Sequence, residues 1–172
     1  MPLELVDDFQ PADAVAGVVN FVMGPGETVG QHLQGHPGID GIVFTGSYEV
    51  GMNLFHGFSK AWPRPCIVEM GGKNPAIVTK NADLDEAAEG IMRSAFGFGG
   101  QKCSALSRIY VDDDIADALI EKLQRTIAAL TIGDPTRSEN WMGPVTTMNA
   151  LQNYERYSKQ LWENGGRVLC GG

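Results

Sequence analysis

Short apolar, β-branched runs alternate with longer amphipathic stretches along the whole chain, and this alternation restricts the fold more than any other feature. Strands separated by helix-length segments are those of parallel pairing, because a parallel crossover needs room for a helix. An α/β layered fold with mostly parallel strands is therefore expected. The expected strands are Val18–Met23, Ile39–Thr45, Cys66–Met70, Pro75–Val78, Ser107–Val111 and one that begins over Arg167–Cys170. Helices are expected over Glu27–Leu33, from a Ser47 cap to about Gly57, over Leu84–Ala95 behind an Asp83 cap, over Ile115–Leu130 behind Asp112-Asp113-Asp114, and over Met148–Glu163. In the second of these, Val50 and Leu54 are spaced to share one buried face. Trp62-Pro63-Arg64-Pro65 reads as a rigid connector, since proline has no place in a helix interior.

Composition narrows the functional classes. With 43% hydrophobic and 20% charged residues over 172 positions, the chain is of ordinary globular type. Its 21 Asp+Glu against 13 Lys+Arg give a net charge of −8, which repels a nucleic-acid phosphate backbone, so no nucleic-acid partner is expected. No apolar run reaches the roughly 18 residues of a membrane span, so no membrane partner is expected. The start, Met1-Pro2-Leu3-Glu4, lacks the basic and apolar regions of a signal peptide, and a cytoplasmic location is expected, or the mitochondrial matrix in a eukaryote. Cys66, Cys103 and Cys170 form neither a disulfide framework nor a zinc spacing, so reduced thiols and no metal are expected.

Four stretches could carry chemistry. Phe44-Thr45-Gly46-Ser47-Tyr48-Glu49-Val50-Gly51 sets a Gly-Ser turn between a strand and a helix N-terminus, where N–H groups and the helix dipole favour an anion such as a pyrophosphate. Gly24-Pro25-Gly26 followed by Gly30 is a similar turn, but neither has the GxGxxG spacing, and both are equally readable as ordinary strand-to-helix turns. Glu69 stands between Val68 and Met70 ahead of Gly71-Gly72. Partial desolvation there would raise its pKa and suit a general base, although the residues alone favour a solvated strand-end glutamate. Cys103 follows Gly97-Phe98-Gly99-Gly100-Gln101-Lys102, a loop in which N–H groups could converge and Lys102 or a helix terminus could stabilise a thiolate. That is equipment for attack on a carbonyl. Cys66 and Cys170 read as packing residues in apolar strands. None of His32, His36 and His56 is paired with Cys103 by any sequence pattern, so a Cys-His protease has no support.

Together these segments resemble the aldehyde dehydrogenase superfamily, in the family's order. FTGSYEVG at 44–51 resembles its cofactor-binding FTGSxxVG, VEMGGKNP at 68–75 its glutamate motif ELGGKxP with Met70 in the usual Leu place, and FGFGGQKCSALSR at 96–108 its cysteine motif. GDP at 133–135 and MGP at 142–144 also fit. GQKCSALSR at 100–108, preceded by Phe96-Gly97-Phe98, is similar to the 1-pyrroline-5-carboxylate dehydrogenase branch, which oxidises glutamate γ-semialdehyde to glutamate in proline breakdown.

The resemblance implies a three-layer α/β architecture with mostly parallel sheets. Residues 1–70 would be the C-terminal part of a Rossmann-like NAD-binding domain, and residues 71–172 the start of the catalytic domain. It implies Cys103 as nucleophile and Glu69 as base, Gly46 and Ser47 at the phosphates of NAD (NADP not excluded), Met70 and Gly71 at its nicotinamide end, and Ser104 with Phe98 at a small-molecule aldehyde. The family's chain is longer on both sides, so an internal fragment of a homo-oligomeric enzyme, inactive by itself, is expected. The competing expectations are a non-catalytic, truncated α/β module and a dehydrogenase for another semialdehyde.

Overall fold

A computed structural model describes residues 17–171. Two units make up the chain, one ending at Glu69 and the other beginning at Met70.

In the first unit, strand β1 (Ile42–Gly46) pairs with β2 (Cys66–Met70). The pair opens with the Ile42 N–H donating to the Pro65 carbonyl at 3.0 Å. Both strands alternate as a half-covered pleat requires: Ile42, Phe44, Cys66, Val68 and Met70 are half-buried, while Val43, Ile67 and Glu69 are exposed. A π-helical turn, Gly26–Gly30, starts where the Pro25 carbonyl takes the N–H groups of Thr28 and Val29, and it runs into α1 (Gln31–Gly35). Helix α2 (Tyr48–Gly57) follows β1 directly, with the Ser47 hydroxyl accepting from the Val50 N–H at 3.3 Å.

The core of this unit is small, with Leu54 and Phe58 buried. Arg64 secures the connector beneath them. Its guanidinium lies 3.8 Å from the Phe58 ring centroid and 4.6 Å from that of Trp62, and it donates to the carbonyls of Ile39 and Phe58. Ser59 closes the same turn through the backbone of Arg64.

The second unit is built on a βαβ crossover. Strand β3 (Asn74–Val78) leads through helix α3 (Leu84–Phe96) to β4 (Leu106–Val111), and the strands pair parallel. The register runs Asn74↔Leu106, then Pro75↔Arg108 through Val78↔Val111, so Ser107 is an extra residue opposite the Asn74–Pro75 step. Asp83 caps α3 by accepting from the N–H groups of Asp85 and Glu86 at 2.9 and 3.2 Å. Asp112 accepts from Asp114 and starts a short 3-10 turn, Asp113–Ile115, that enters α4 (Ala116–Ala128).

Val78, Ala88, Ile91 and Leu119 form the buried cluster between strand and helices, with Leu106, Val111, Ile115 and Leu123 packed on it. Burial of Val78, Ile91 and Leu119 contributes about 1.5–3 kcal/mol each over the exposed state. Helix α5 (Met148–Glu163) begins at Thr147, whose hydroxyl accepts from Ala150. In the connection before it, Asp134 accepts from the backbone N–H and the hydroxyl of Thr136, in that order of effect, and these hold its carboxyl below the usual carboxylate range.

Two expected strands do not form. Val18–Met23 has no ladder and is exposed throughout, and Arg167–Cys170 is irregular, held by Gln124 Nε2 donating to the Leu169 carbonyl at 2.9 Å. Strand-forming side chains need a neighbouring strand to supply hydrogen bonds, and among the described residues neither segment has one. Val50 is exposed at 47%, contrary to the face expected for it; Gly51 takes the inward place beside Leu54. No helix among the described residues is long and apolar enough to cross a membrane.

Candidate active site

Cys103 is exposed on the turn that joins α3 to β4. After Phe96 the chain passes through a 3-10 turn, Gly97–Gly100, in which Phe98, Gly99 and Gly100 all have positive φ (56°, 63° and 71°). Only glycine suits the third position: a Cβ on Gly100 would lie 2.9 Å from the Ala95 carbonyl oxygen. The loop is then closed twice. The Phe98 carbonyl accepts from both the N–H and the side-chain amide of Gln101, at 3.2 and 3.1 Å, and the Lys102 carbonyl accepts from the Ala105 N–H at 3.1 Å. Cys103 and Ser104 are thus the central residues of a tight turn, and both are exposed.

The glycines of this loop reverse the chain, and the N–H groups of Gln101 and Ala105 are consumed in holding that reversal. The expected convergence of donors is therefore smaller than glycine content alone indicates. From the neighbouring strand, Asn74 reaches across: its Nδ2 donates to the carbonyls of Cys103 at 2.7 Å and Ala105 at 3.1 Å. Gly72 lies against the same carbonyl, a Cβ there falling 3.6 Å from the Cys103 oxygen. The α3 end of the loop is tied by Trp141, whose indole N–H donates to the Phe96 carbonyl at 3.3 Å and whose ring carries Arg93 at 5.3 Å.

Phe98, Cys103, Ser104 and Gly71 are all exposed residues of the second unit, and Met70 opens that unit half-buried. Gly71 has open space where a side chain would stand. Gly46, Ser47 and Glu69 belong to the first unit. Glu69 is exposed, so its apolar neighbours Val68 and Met70 do not desolvate it there. In a strand, residues on either side point to the opposite face, and that is why sequence adjacency misleads at this position.

Gly46 and Ser47 stand where β1 becomes α2. Ser47 Oγ is engaged with Val50, and the first-turn N–H groups of Tyr48 and Glu49 have no intrahelical acceptor. A ten-residue helix opened by exposed residues fits an anionic phosphate group, with the N–H groups rather than any cationic side chain of that turn as the attraction. Among the described residues no cluster of three or more His, Cys, Asp or Glu side chains could hold a metal ion.

Sequence reasoning passed over Asn74. Its signal was an amide residue between Gly71-Gly72-Lys73 and Pro75, at a strand start where a side chain is free to serve backbone groups. Cys170 also differs from expectation: it is exposed, outside any strand, and faces a cavity of about 800 Å³ lined by Ala95, Ile127, Leu130, Leu161 and Trp162. That cavity does not include Cys103, and its lining is mainly apolar, with Gln101, Tyr154, Ser158 and the Cys170 thiol as its polar side chains.

The model of the aldehyde dehydrogenase family matches residues 1–172. The chain belongs to that family. Among aldehyde dehydrogenases, 1-pyrroline-5-carboxylate dehydrogenase 1 of Halalkalibacterium halodurans is 41% identical over 174 residues, covering 98% of this chain and 34% of the relative. Alpha-ketoglutaric semialdehyde dehydrogenase of Bacillus subtilis is 40% identical over 169 residues, again 98% of this chain and 34% of the relative. The crystal structure of 1-pyrroline-5-carboxylate dehydrogenase from Thermus with bound NAD superposes with a TM-score of 0.83 at 38% identity, covering 90% of this chain and 31% of that one. The chain spans about a third of the length of the curated relatives it matches. The family resemblance carried by FTGSYEVG, VEMGGKNP and FGFGGQKCSALSR is thus borne out, and so is the α/β fold with parallel pairing.

Proposed function

We propose that the protein to which this chain contributes oxidises an aldehyde to a carboxylate with NAD or NADP, with Cys103 as nucleophile and Glu69 as base, and that the aldehyde is glutamate γ-semialdehyde. The observation that carries this reading is an exposed cysteine on a turn pinned from a neighbouring strand, within a chain of the aldehyde dehydrogenase family. The relatives named for 1-pyrroline-5-carboxylate support the substrate, and the relative named for α-ketoglutaric semialdehyde supports a second acidic semialdehyde as the competing choice.

The Cys103 Sγ, as thiolate, bonds to the carbonyl carbon of the aldehyde, and the backbone N–H of Cys103 helps to hold the oxygen that gains charge. NAD or NADP, when bound, would supply the hydride acceptor for the two-electron oxidation of that carbon. The carbon is left as a thioester on Cys103. Glu69 then takes a proton from water as the water oxygen bonds to the thioester carbon, the C–S bond breaks to restore the thiolate, and the product acid gives its remaining proton to solvent and leaves as the carboxylate. Gly46 and Ser47 would hold the cofactor's phosphates, Met70 and Gly71 would hold its nicotinamide end, and Ser104 and Phe98 would meet the substrate. Residues 1–70 belong to the cofactor domain and residues 71–172 to the catalytic domain.

The test is NAD reduction by the protein expressed from the complete reading frame. Cys103→Ser is expected to abolish turnover with glutamate γ-semialdehyde. Glu69→Gln is expected to give about one equivalent of NADH in a burst and then stall, because acylation proceeds and hydrolysis does not. Turnover by Cys103→Ser at the unmodified rate overturns the nucleophile assignment, and steady turnover by Glu69→Gln overturns that of the base. A higher kcat/KM for α-ketoglutaric semialdehyde would reassign the substrate.

A further inference from the structure

We infer that Asn74 is the positioning residue for the nucleophile: its side-chain amide sets the backbone on which Cys103 is presented. The inference rests on the functional reading above, and it gives a role to the position that the glutamate motif leaves open.

The direction of the Cys103 side chain follows from the two peptide planes that flank its α-carbon, since planar trans peptides leave only φ and ψ free. Both planes are held. The plane before Cys103 is fixed through the Lys102 carbonyl, which accepts from the Ala105 N–H at 3.1 Å. The plane after it is fixed through the Cys103 carbonyl, which accepts from Asn74 Nδ2 at 2.7 Å. The same Nδ2 holds the Ala105 carbonyl at 3.1 Å, so one amide group ties the turn at its second and fourth residues.

The group facing the two carbonyls must be the NH₂, because carbonyl oxygens only accept. An asparagine suits this place in a way its neighbours in size do not. Aspartate would set a carboxylate against two acceptors, and serine brings one hydrogen where two are used. Asn74 is itself anchored at the extra residue of the sheet: the Ser107 hydroxyl donates to its carbonyl at 3.4 Å, and its register partner is Leu106. Gly72, whose Cβ position is 3.6 Å from the Cys103 oxygen and 3.7 Å from Asn74 Oδ1, leaves the contact uncrowded. With its carbonyl drawn toward Asn74, the Cys103–Ser104 peptide directs the Ser104 N–H the opposite way, away from the strand.

The experiment is Asn74→Ala with two readouts. In the 172-residue chain, amide hydrogen exchange at Ala105 is expected to accelerate about tenfold, the scale of losing a net hydrogen bond, while amides of α3 and α4 keep their rates. In the protein from the complete reading frame, kcat for aldehyde oxidation is expected to fall about tenfold or more with KM within about twofold, because a misaimed nucleophile loses reaction geometry rather than ground-state binding. Asn74→Asp is expected to lose at least as much.

Unchanged exchange at Ala105, or an unchanged kcat per folded molecule, overturns the inference even when Cys103→Ser is inactive. If Asn74→Ala frees the turn and Cys103→Ser still turns over, the nucleophile assignment falls and the positioning role falls with it. Where Asn74→Ala fails to fold, with exchange protection lost in α3 and α4 as well, Asn74→Ser is used. It supplies one donor and is expected to give intermediate rates in both assays, whereas wild-type rates in both overturn the inference.

Discussion

Between the end of α3 and the Cys103 turn the backbone passes through consecutive left-handed residues, Phe98, Gly99 and Gly100. For phenylalanine that conformation costs on the order of 1–3 kcal/mol, and with the residue 65% exposed, burial does not offset it. Such a cost is tolerated where the placement of the ring matters, which supports a role for Phe98 beside the substrate. At Gly100 the conformation and the 2.9 Å approach to the Ala95 carbonyl act together. Gly100→Ala is expected to destabilise the second unit by at least about 1–2 kcal/mol, read as a lower urea midpoint at unchanged slope; an unchanged midpoint would show that the loop relaxes without cost. The cysteine and its glycines were legible in the sequence because nucleophile and chain reversal are local. Asn74 was not, because its hydrogen bonds close over 29 and 31 positions of sequence and exist only once β3 and β4 are paired.

At the level of elements, helix starts were read accurately wherever a capping side chain announced them. Ser47, Asp83 and Asp112 each accept from an N–H two or three residues on, and Thr147, not named as a cap from the sequence, does the same ahead of Met148. Asp83 is the strongest case, engaging two N–H groups at the head of the helix that carries Ala88 and Ile91 into the core. Asp83→Ala is expected to cost about 1 kcal/mol, and Asp83→Ser much less, with urea unfolding of the 172-residue chain as the measurement. Equal losses in the two variants would mean that charge near the helix dipole, not the capping hydrogen bond, is what Asp83 contributes. Strands were legible only when a partner lay within the same stretch of chain. β3 and β4 supply each other, while Val18–Met23 and Arg167–Cys170 carry the right residues and have no ladder among the described residues.

For the whole molecule, the exposed apolar surface is large. Phe21, Met23, Val43, Ile77 and Trp162 are each more than half exposed, and α5 buries none of its residues. A monomer with so much apolar surface open to water is expected to bind a hydrophobic dye and to associate as concentration rises, which sedimentation velocity would register. The 172-residue chain by itself is expected to give no measurable NAD reduction with glutamate γ-semialdehyde; measurable reduction would show that its own residues suffice for cofactor and oxyanion binding. The extra residue Ser107 has a consequence for how such a chain can vary. Ser107 interrupts the ladder beside Asn74 and its hydroxyl donates to the Asn74 carbonyl, so removing Ser107 would take a contact away from the residue whose amide holds the Cys103 carbonyl. Insertions in the turn before Asp83 leave that contact untouched. A length change is therefore tolerable on one side of the crossover and felt at the thiol on the other, because the aim of the sulfur depends on residues beyond the cysteine itself.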